Sequence, residues 1–595
     1  MFLLPSVWSS MRRFCRDHPG TGLMLCWSML LLIDLLLVRD IEWTRENITG
    51  TRFVVNFILS GLAYWGLLFN IRGLLLRRRR IALTLLSLFL VAYLAQTSYF
   101  EIYRKFITTF DVRFFFSDPL LSLALWREHV GLLVPLLTTL LAMLVLVLVM
   151  SVEYRPRGWG RWGSGLLAAG LFGLVSLNWY GAPYFQVAPV AYYSSLAGAV
   201  DLQLGELAGP QRPALAPRHA RAGAPNIIFV IGESLNRDHL GVYGYARDTT
   251  PGLSALQARG ELLAMRNAVS VSPRTLTSVP YMLTGLEGID PHGAVFRVPT
   301  LFNYAKSAGY RTGLVTAQDF RWRGLDQMLV DKDLDHFRQG VDFSADVSVS
   351  IGADDQQVLE RGLLPFIAEA AATGKPYLLV AQMSGSHTPF SRQVPAASKV
   401  YLPEEGPNSV NAYDNTVRYT DRYLARLVAE ARAADANTWV FYSSDHGEHV
   451  AGEKSQFHHD FRPEVIRNPL LIFPPQGRGE AVRVNLDAPV THADIVPTAL
   501  ELMGVVPVTE LDGVSLLQPV DRNRLRIVTA FMITLHKDPR AALVFPDQSI
   551  FEIDFERGNV KLSDGETLVR YDQLDERYRR LFERRLQLPG EDNAE

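Results

Sequence analysis

The stretch NIIFVIGES, Asn226 to Ser234, decides the fold. It reads as a buried strand that breaks off abruptly into Gly232-Glu233-Ser234. Four later runs have the same character: YRTGLVTA, PYLLVAQM, TWVFYSS and PLLIF. Between them lie DDQQVLERGLLPFIAEAAA and NTVRYTDRYLARLVAEARA, whose apolar residues fall at helical spacing. Strands alternating with helices imply an α/β domain on a mostly parallel sheet. Such sheets bind ligands outside the carboxyl ends of their strands, so the polar residues just past each strand are the ones to weigh.

Those residues are chemically suggestive. Glu233 follows the first strand, and His387 follows PYLLVAQM in SGSH. Asp445 and His446 follow TWVFYSS in SDHGEH, and His458 comes soon after in KSQFHHD. Taken singly, each has a plain alternative: a helix cap for Glu233 or Asp445, a solvated ring for His446, a structural ring for His387. Together, at strand ends, they read as one pocket, and mixed oxygen and nitrogen donors suit zinc or a similar divalent ion. His449 and His459 are left out of that set. Earlier in the chain, SVSPRTLTSVPYML (Ser270–Leu283) crowds hydroxyls before an apolar helix. Either Ser272 or Thr275 caps that helix, or one of these hydroxyls is a nucleophile activated by the helix dipole and a nearby metal.

Outward from this domain the character changes. The chain has 595 residues, 48 % hydrophobic and 20 % charged, with a formal charge of -2, so nothing points to nucleic acid. Cysteine occurs only at Cys15 and Cys26, so the later part has no disulfide framework. Five apolar runs, at about 21–39, 53–71, 81–97, 130–151 and 163–180, are each long enough to span a bilayer as a helix. Arginines cluster before the first run, at Arg77–Arg80, and in EYRPRGWGRW. Cationic loops stay cytoplasmic, so five crossings leave everything after the fifth outside, in the periplasm of a bacterium. Asp34, inside the first run, is either functional or paired with a neighbouring helix. The aromatic loop 98–129 reads as interfacial helices, serving as an anchor or a lipid cradle. AGPQRPALAPRHARAGAP, Ala208–Pro225, reads as a linker.

The motifs as a set resemble the membrane-anchored phosphoethanolamine transferases of the alkaline phosphatase and sulfatase superfamily. The resemblance covers nearly the whole chain. NIIFVIGESLNRDHLGVYGYARDTTPGL is similar to the family's first strand, metal Glu and GY-R-TTP segment. TLTSVPYML is similar to its nucleophile helix, which points to Thr275. MSGSHTP points to His387, YSSDHGEH to Asp445 and His446, and the family's later histidine to His458. The resemblance implies a five-helix transmembrane domain (1–181), connecting helices and linker (182–225), a sulfatase-like α/β domain (226–520) and an α+β extension (521–595). In that extension AALVFPDQSIFEIDF reads as a hairpin and VRYDQLDERYRRLFERRLQ as a helix.

The activity it implies is transfer of phosphoethanolamine from phosphatidylethanolamine to lipid A, lipopolysaccharide core or a periplasmic glycan, at the inner membrane. Zinc would sit on Glu233, Thr275, Asp445 and His446. Thr275 would carry a covalent phospho-intermediate, and His387 and His458 would act as general acid or base or bind phosphate. Two other readings are a phosphoglycerol transferase of the same superfamily and a non-catalytic membrane regulator. The chain departs from family members acting on lipid A in lacking disulfides, in its extension of about 80 residues, and in Arg274 directly before Thr275.

Overall fold

The structure, a computed structural model, describes residues 4–39, 51–75, 78–103, 133–152, 165–173, 186–204 and 212–586, with isolated positions at 44, 106, 107, 112 and 115. Within the last range it leaves out 289–292, 321–324, 346, 348–350, 451–457, 459, 531–539 and 556–557. The chain divides into two compact units, Met1–Leu207 and Ala208–Glu595.

In the first unit, four described helices are long and apolar enough to cross a membrane: Pro19–Val38, Val54–Ile71, Arg79–Glu101 and Leu133–Ser151. They coincide with the first four predicted spans. A helix satisfies its own backbone donors and acceptors, which a bilayer requires. The fifth predicted span and the aromatic loop 98–129 lie largely outside the described residues.

Asp34 takes the paired alternative. It opens a π-helical turn, Asp34–Val38, at the end of the first span. Its Oδ2 accepts the backbone N–H of Ala188 at 2.5 Å, and the carboxylate pairs with the Arg39 guanidinium. Arg39 in turn reaches the Gln186 carbonyl and lies 4.3 Å from the Phe106 ring centroid. Ser60 Oγ accepts the neighbouring Val187 N–H at 2.9 Å. Asp34 therefore caps the first turn of the helix Ala188–Leu204 from within the bundle.

In the second unit the strands are β1 (Asn226–Gly232), β2 (Leu263–Ala264), β3 (Ala268–Val269), β4 (Arg311–Thr316), β5 (His336–Arg338), β6 (Tyr377–Gln382), β7 (Thr438–Ser444), β8 (Leu470–Phe473) and β9 (Val490–Thr491). Seven of them form one sheet in the order β2-β8-β7-β1-β6-β4-β5. β7, β1, β6, β4 and β5 run parallel, β8 runs antiparallel to β7, and β2 runs antiparallel to β8. β1 lies in the interior with all seven residues buried, which accounts for its unbroken apolar run. Gly232 pairs with Ser444, and Ile231 with Gln382. The residues that follow β1, β6 and β7 thus emerge side by side at one edge.

Arginines pin the stretch read as a linker from Arg212 onward. Arg212 donates to the carbonyls of Val295, Val298 and Met328, and Arg221 to that of Leu502 at 2.6 Å.

The C-terminal extension adds a five-stranded antiparallel sheet of β10 (Arg526–Thr529), β11 (Arg540–Val544), β12 (Ile550–Asp554), β13 (Asn559–Lys561) and β14 (Leu568–Arg570). The expected hairpin is β11–β12. The expected helix forms only over Glu576–Leu586. The start of that stretch is instead β14, because Val569 faces Val560 across the sheet edge, and the helix begins where the Asp575 carboxylate accepts the Arg577 N–H at 2.8 Å.

Replacing Asp34 with Leu strands a buried guanidinium, so unfolding of the full chain in detergent should lose about 3–5 kcal/mol. The double change Asp34→Leu with Arg39→Met should recover most of that loss. A single variant as stable as the parent would show that the pair does not hold the helix Ala188–Leu204.

Candidate active site

Four side chains meet at the strand edge. Glu233 follows β1, Asp445 and His446 follow β7, and Thr275 opens the helix Thr275–Met282. All four are essentially buried. Donor atoms of Glu233, Asp445 and His446 all lie within 4.8 Å of one another. Thr275 Oγ1 is 3.4 and 3.3 Å from the two Glu233 oxygens and 3.3 Å from His446 Nε2.

Local backbone chemistry explains the arrangement. Ser234 has φ +56°, a left-handed conformation costly for a residue with a Cβ. It turns the Ser234 N–H onto Asp445 Oδ1 at 3.0 Å, and the His446 N–H donates to the same oxygen at 2.8 Å. The other oxygen, Oδ2, is buried with no hydrogen-bond partner among the described residues, and it lies 3.5 Å from His446 Nε2. His446 Nδ1 is 2.8 Å from the Gly447 carbonyl, which can only accept, so Nδ1 carries the proton and Nε2 the lone pair. Gln318 donates to Glu233 Oε2 at 2.8 Å and so orients that carboxylate.

An orphaned carboxylate oxygen, a second carboxylate and an imidazole lone pair, all buried and facing one hydroxyl, fit a divalent cation, and the mixed O and N donors suit zinc. The electrostatics agree. Burial, then the Glu233 charge, push the Asp445 carboxyl up to about 6. Burial, the Glu233 charge and the Asp445 charge raise Glu448 well above the usual carboxylate range. Acids crowded in a dry pocket ionise together only when a cation offsets them.

His387 lies on the loop after β6. That loop is fastened to Glu233: the Ser386 N–H donates to the Glu233 carbonyl at 2.9 Å. Gly385, at φ +57°, packs so closely that a Cβ would sit 2.8 Å from the Glu233 carbonyl oxygen, so only glycine fits. Asp355 accepts the N–H groups of Ser384 and Gly385 at 2.8 and 3.0 Å, while burial lifts its carboxyl to about 7. His387 Nδ1 is 2.6 Å from the Thr388 carbonyl, which places the ring's lone pair on Nε2. The His458 ring packs on His446 with centroids 4.4 Å apart.

The sequence pattern did not single out Gln318, Glu448 or His492. Glu448 could have been found in SDHGEH, as a carboxylate between the candidate ligands and His458. Gln318 and His492 carry no local signal and reach the site only through tertiary packing. His492 is buried, its Nδ1 3.3 Å from Ser278 Oγ, and burial holds it down to about 3. His449, left out of the predicted set, pairs with Asp460 at 3.1 Å. His459 lies outside the described residues.

The segment Gly244–Pro251 is scaffold. Arg247, Tyr245 and His239 converge on the buried Asp414 at 2.7, 3.0 and 2.7 Å. The adjacent Tyr413 hydroxyl donates to the Ser234 carbonyl at 2.7 Å and accepts from the Asn236 N–H at 2.6 Å, bracing the strained turn.

Residues 225–505 match the Sulfatase family. Over 232 residues the chain is 29 % identical to the putative transferase YhbX of Escherichia coli K12, covering 38 % of each protein. It is 28 % identical over 235 residues to the phosphoethanolamine transferase EptC of the same strain, covering 38 % of this chain and 40 % of the relative. The matches thus span less than half of these relatives. Among solved structures, the integral membrane lipooligosaccharide phosphoethanolamine transferase A (EptA) from Neisseria meningitidis aligns with TM-score 0.58 at 16 % identity, covering 80 % of this chain and 95 % of that one. The shared fold is a set of apolar N-terminal helices followed by an α/β domain.

Two outcomes follow for the site. Asp355→Ala leaves two buried N–H groups unpaired at about 1–3 kcal/mol each, so it should lower stability by a few kcal/mol in denaturant unfolding. A ligand must lose its proton to bind a metal, and the fold holds the Asp445 proton up to about 6. Zinc affinity measured by calorimetry should be flat above neutral pH and fall about tenfold per unit as pH drops below that value. The sign is that of a raised acid: in metal-free protein, stability declines as pH climbs from the ordinary carboxylate range to about 6, and bound metal removes that penalty.

Proposed function

We propose that this protein transfers phosphoethanolamine from phosphatidylethanolamine to a cell-envelope acceptor (lipid A, lipopolysaccharide core or a periplasmic glycan) through a phosphothreonine at Thr275. The observation that carries this reading is the Thr275 hydroxyl, buried at a helix start within 3.4 Å of Glu233 and His446. A hydroxyl that only capped the helix would need no carboxylate and imidazole around it. The names of the relatives support the transferred group, and helices apolar enough to cross a membrane support a bilayer as the source of the donor.

Glu233, Asp445, His446 and Thr275 would hold zinc, which when bound lowers the hydroxyl pKa and offsets phosphate charge. Thr275 Oγ1 forms the bond to phosphorus as the phosphorus–oxygen bond to diacylglycerol breaks. The hydroxyl proton leaves toward the carboxylate side of the pocket. His458 and His387 supply a proton to the departing oxygen and take one from the acceptor hydroxyl, whose oxygen then displaces Thr275. Phosphoryl transfer asks mainly for positioning and charge neutralisation, and a buried, hydrogen-bonded pocket at a strand edge supplies both. The charge distribution of the loops supports a periplasmic catalytic unit on the bacterial inner membrane.

The test is intact mass of the full chain after incubation with phosphatidylethanolamine and zinc, beside Thr275→Ala. A phosphoethanolamine adduct is expected on the parent and none on the variant. An adduct formed only with phosphatidylglycerol would move the assignment to phosphoglycerol transfer. No adduct with either lipid, in protein that binds zinc, would leave Thr275 a helix cap and favour a regulator.

A further inference from the structure

We propose that one end of the membrane bundle is a binding surface for anionic phospholipid headgroups, built from Arg12, Arg13, Arg16, Arg78, Arg79 and Arg80. The surface belongs to the first unit alone and is independent of the chemistry at Thr275. The helix Leu4–Asp17 carries the first three arginines and leads into the first span at Pro19. Its Trp8, Met11 and Cys15 side chains, at helical spacing, pack on the bundle core. Gly22 permits that approach, because a Cβ there would lie 2.8 Å from Cys15 Cα. Arg12 Nε donates to Ser151 Oγ at 3.1 Å, which sets the helix beside the end of the fourth span. At the opposite end of the bundle Arg39, just past the first span, lies against the Phe106 ring, a few residues past the third. The third span therefore begins, at Arg79, on the same side as Arg12. Two distant stretches of sequence bring their arginines to one end.

All six arginines are exposed, and none has an ion-pair partner among the described residues. Asp17 is the one acid at this end among the described residues. The tendency of cationic loops to stay cytoplasmic orients a chain, but it does not require the cations to converge or to stay unpaired. Six like charges in one place repel each other until an external anion offsets them. Apolar side chains are exposed beside them: Val7 and Phe14 on the same helix, Ile81 and Leu83 just inside the third span. A soluble polyanion would use only the arginines. A ligand that matches both layers carries phosphate at one end and hydrocarbon at the other, which describes a phospholipid. Net charge selects within that class. Phosphatidylglycerol presents a net negative charge to the arginines, whereas phosphatidylethanolamine, the donor in the proposed function, is zwitterionic. A short helix with arginines above exposed apolar side chains lies in the plane of the membrane surface. Each arginine held near an anionic surface strengthens binding about five-fold.

The test is native mass spectrometry of the full chain, released from nanodiscs that hold equal parts of phosphatidylglycerol, phosphatidylethanolamine and phosphatidylcholine, with bound lipids identified by mass. The parent should retain phosphatidylglycerol several-fold over either zwitterionic lipid, and less so when salt is raised to about 0.5 M. Arg13→Gln, Arg16→Gln, Arg79→Gln and Arg80→Gln together spare the Arg12–Ser151 bond and should cut that preference about ten-fold or more. Lys at the same four positions should keep most of it, because net charge is what the headgroup meets. That variant also separates loss of charge from loss of fold. Arg577→Gln with Arg580→Gln removes exposed arginines of the second unit and should leave the preference unchanged. No preference in the parent, equal retention of phosphatidylethanolamine, parental preference in the Gln variant, or its loss in the Lys variant or the second-unit control would each overturn the assignment. The readout needs neither zinc nor an adduct at Thr275, so its failure and failure of the proposed function are distinct results.

Discussion

The site depends on one carboxylate oxygen, Asp445 Oδ1, which accepts two backbone N–H groups from different strand ends. β1 and β7 are parallel neighbours, so their ends would diverge once the ladder stops. Asp445 bridges them, and the left-handed turn at Ser234 is the strain accepted for it. With Oδ1 occupied, Oδ2 is the only oxygen left to face Glu233 and His446. Removing the bridge would release the first strand's carboxylate and the seventh strand's imidazole from each other at the same time.

Around that bridge the pocket is a set of nested hydrogen-bond assignments. Gln318 takes one Glu233 oxygen, the Gly447 carbonyl takes His446 Nδ1, and Tyr413 and Asp414 brace the turn after β1. Asp355 does the same for the loop carrying His387. Each partner removes one orientation from a side chain near the hydroxyl, so the pocket is organised before any ligand arrives. The cost is a concentration of buried acids, visible in the raised Asp445, Glu448 and Asp355 carboxyls. A divalent cation relieves that repulsion most directly for Asp445 and Glu233.

The membrane unit follows the same rule in a drier solvent. Asp34 looked anomalous as a charge in an apolar run. Inside the bundle it satisfies Arg39 and the first N–H of the helix Ala188–Leu204, groups that have no water to turn to. Its chemistry is that of a helix cap, made strong by its surroundings.

Much of this was legible in the sequence because it is local or periodic. Apolar run lengths placed four spans within a few residues, and unbroken apolar stretches marked the central strands. The strand-end rule then selected Glu233, Asp445, His446 and His387, because parallel strands deliver their following residues to one edge. Two features were not legible. β14 was read as helix because its residues carry no strong alternation, and only pairing with β13 selects the extended form. Gln318 and His492 were missed because their roles are partnerships across the fold. Gln318 lies 85 residues from the carboxylate it orients, and His492 lies 214 from Ser278. The sequence by itself determined which segments are apolar, which end in polar residues and which carry ligand chemistry, since those depend on a residue and its near neighbours. Only the tertiary structure decided which lone pair faces which proton, because that direction is set by hydrogen-bond partners that the chain brings together from distant positions.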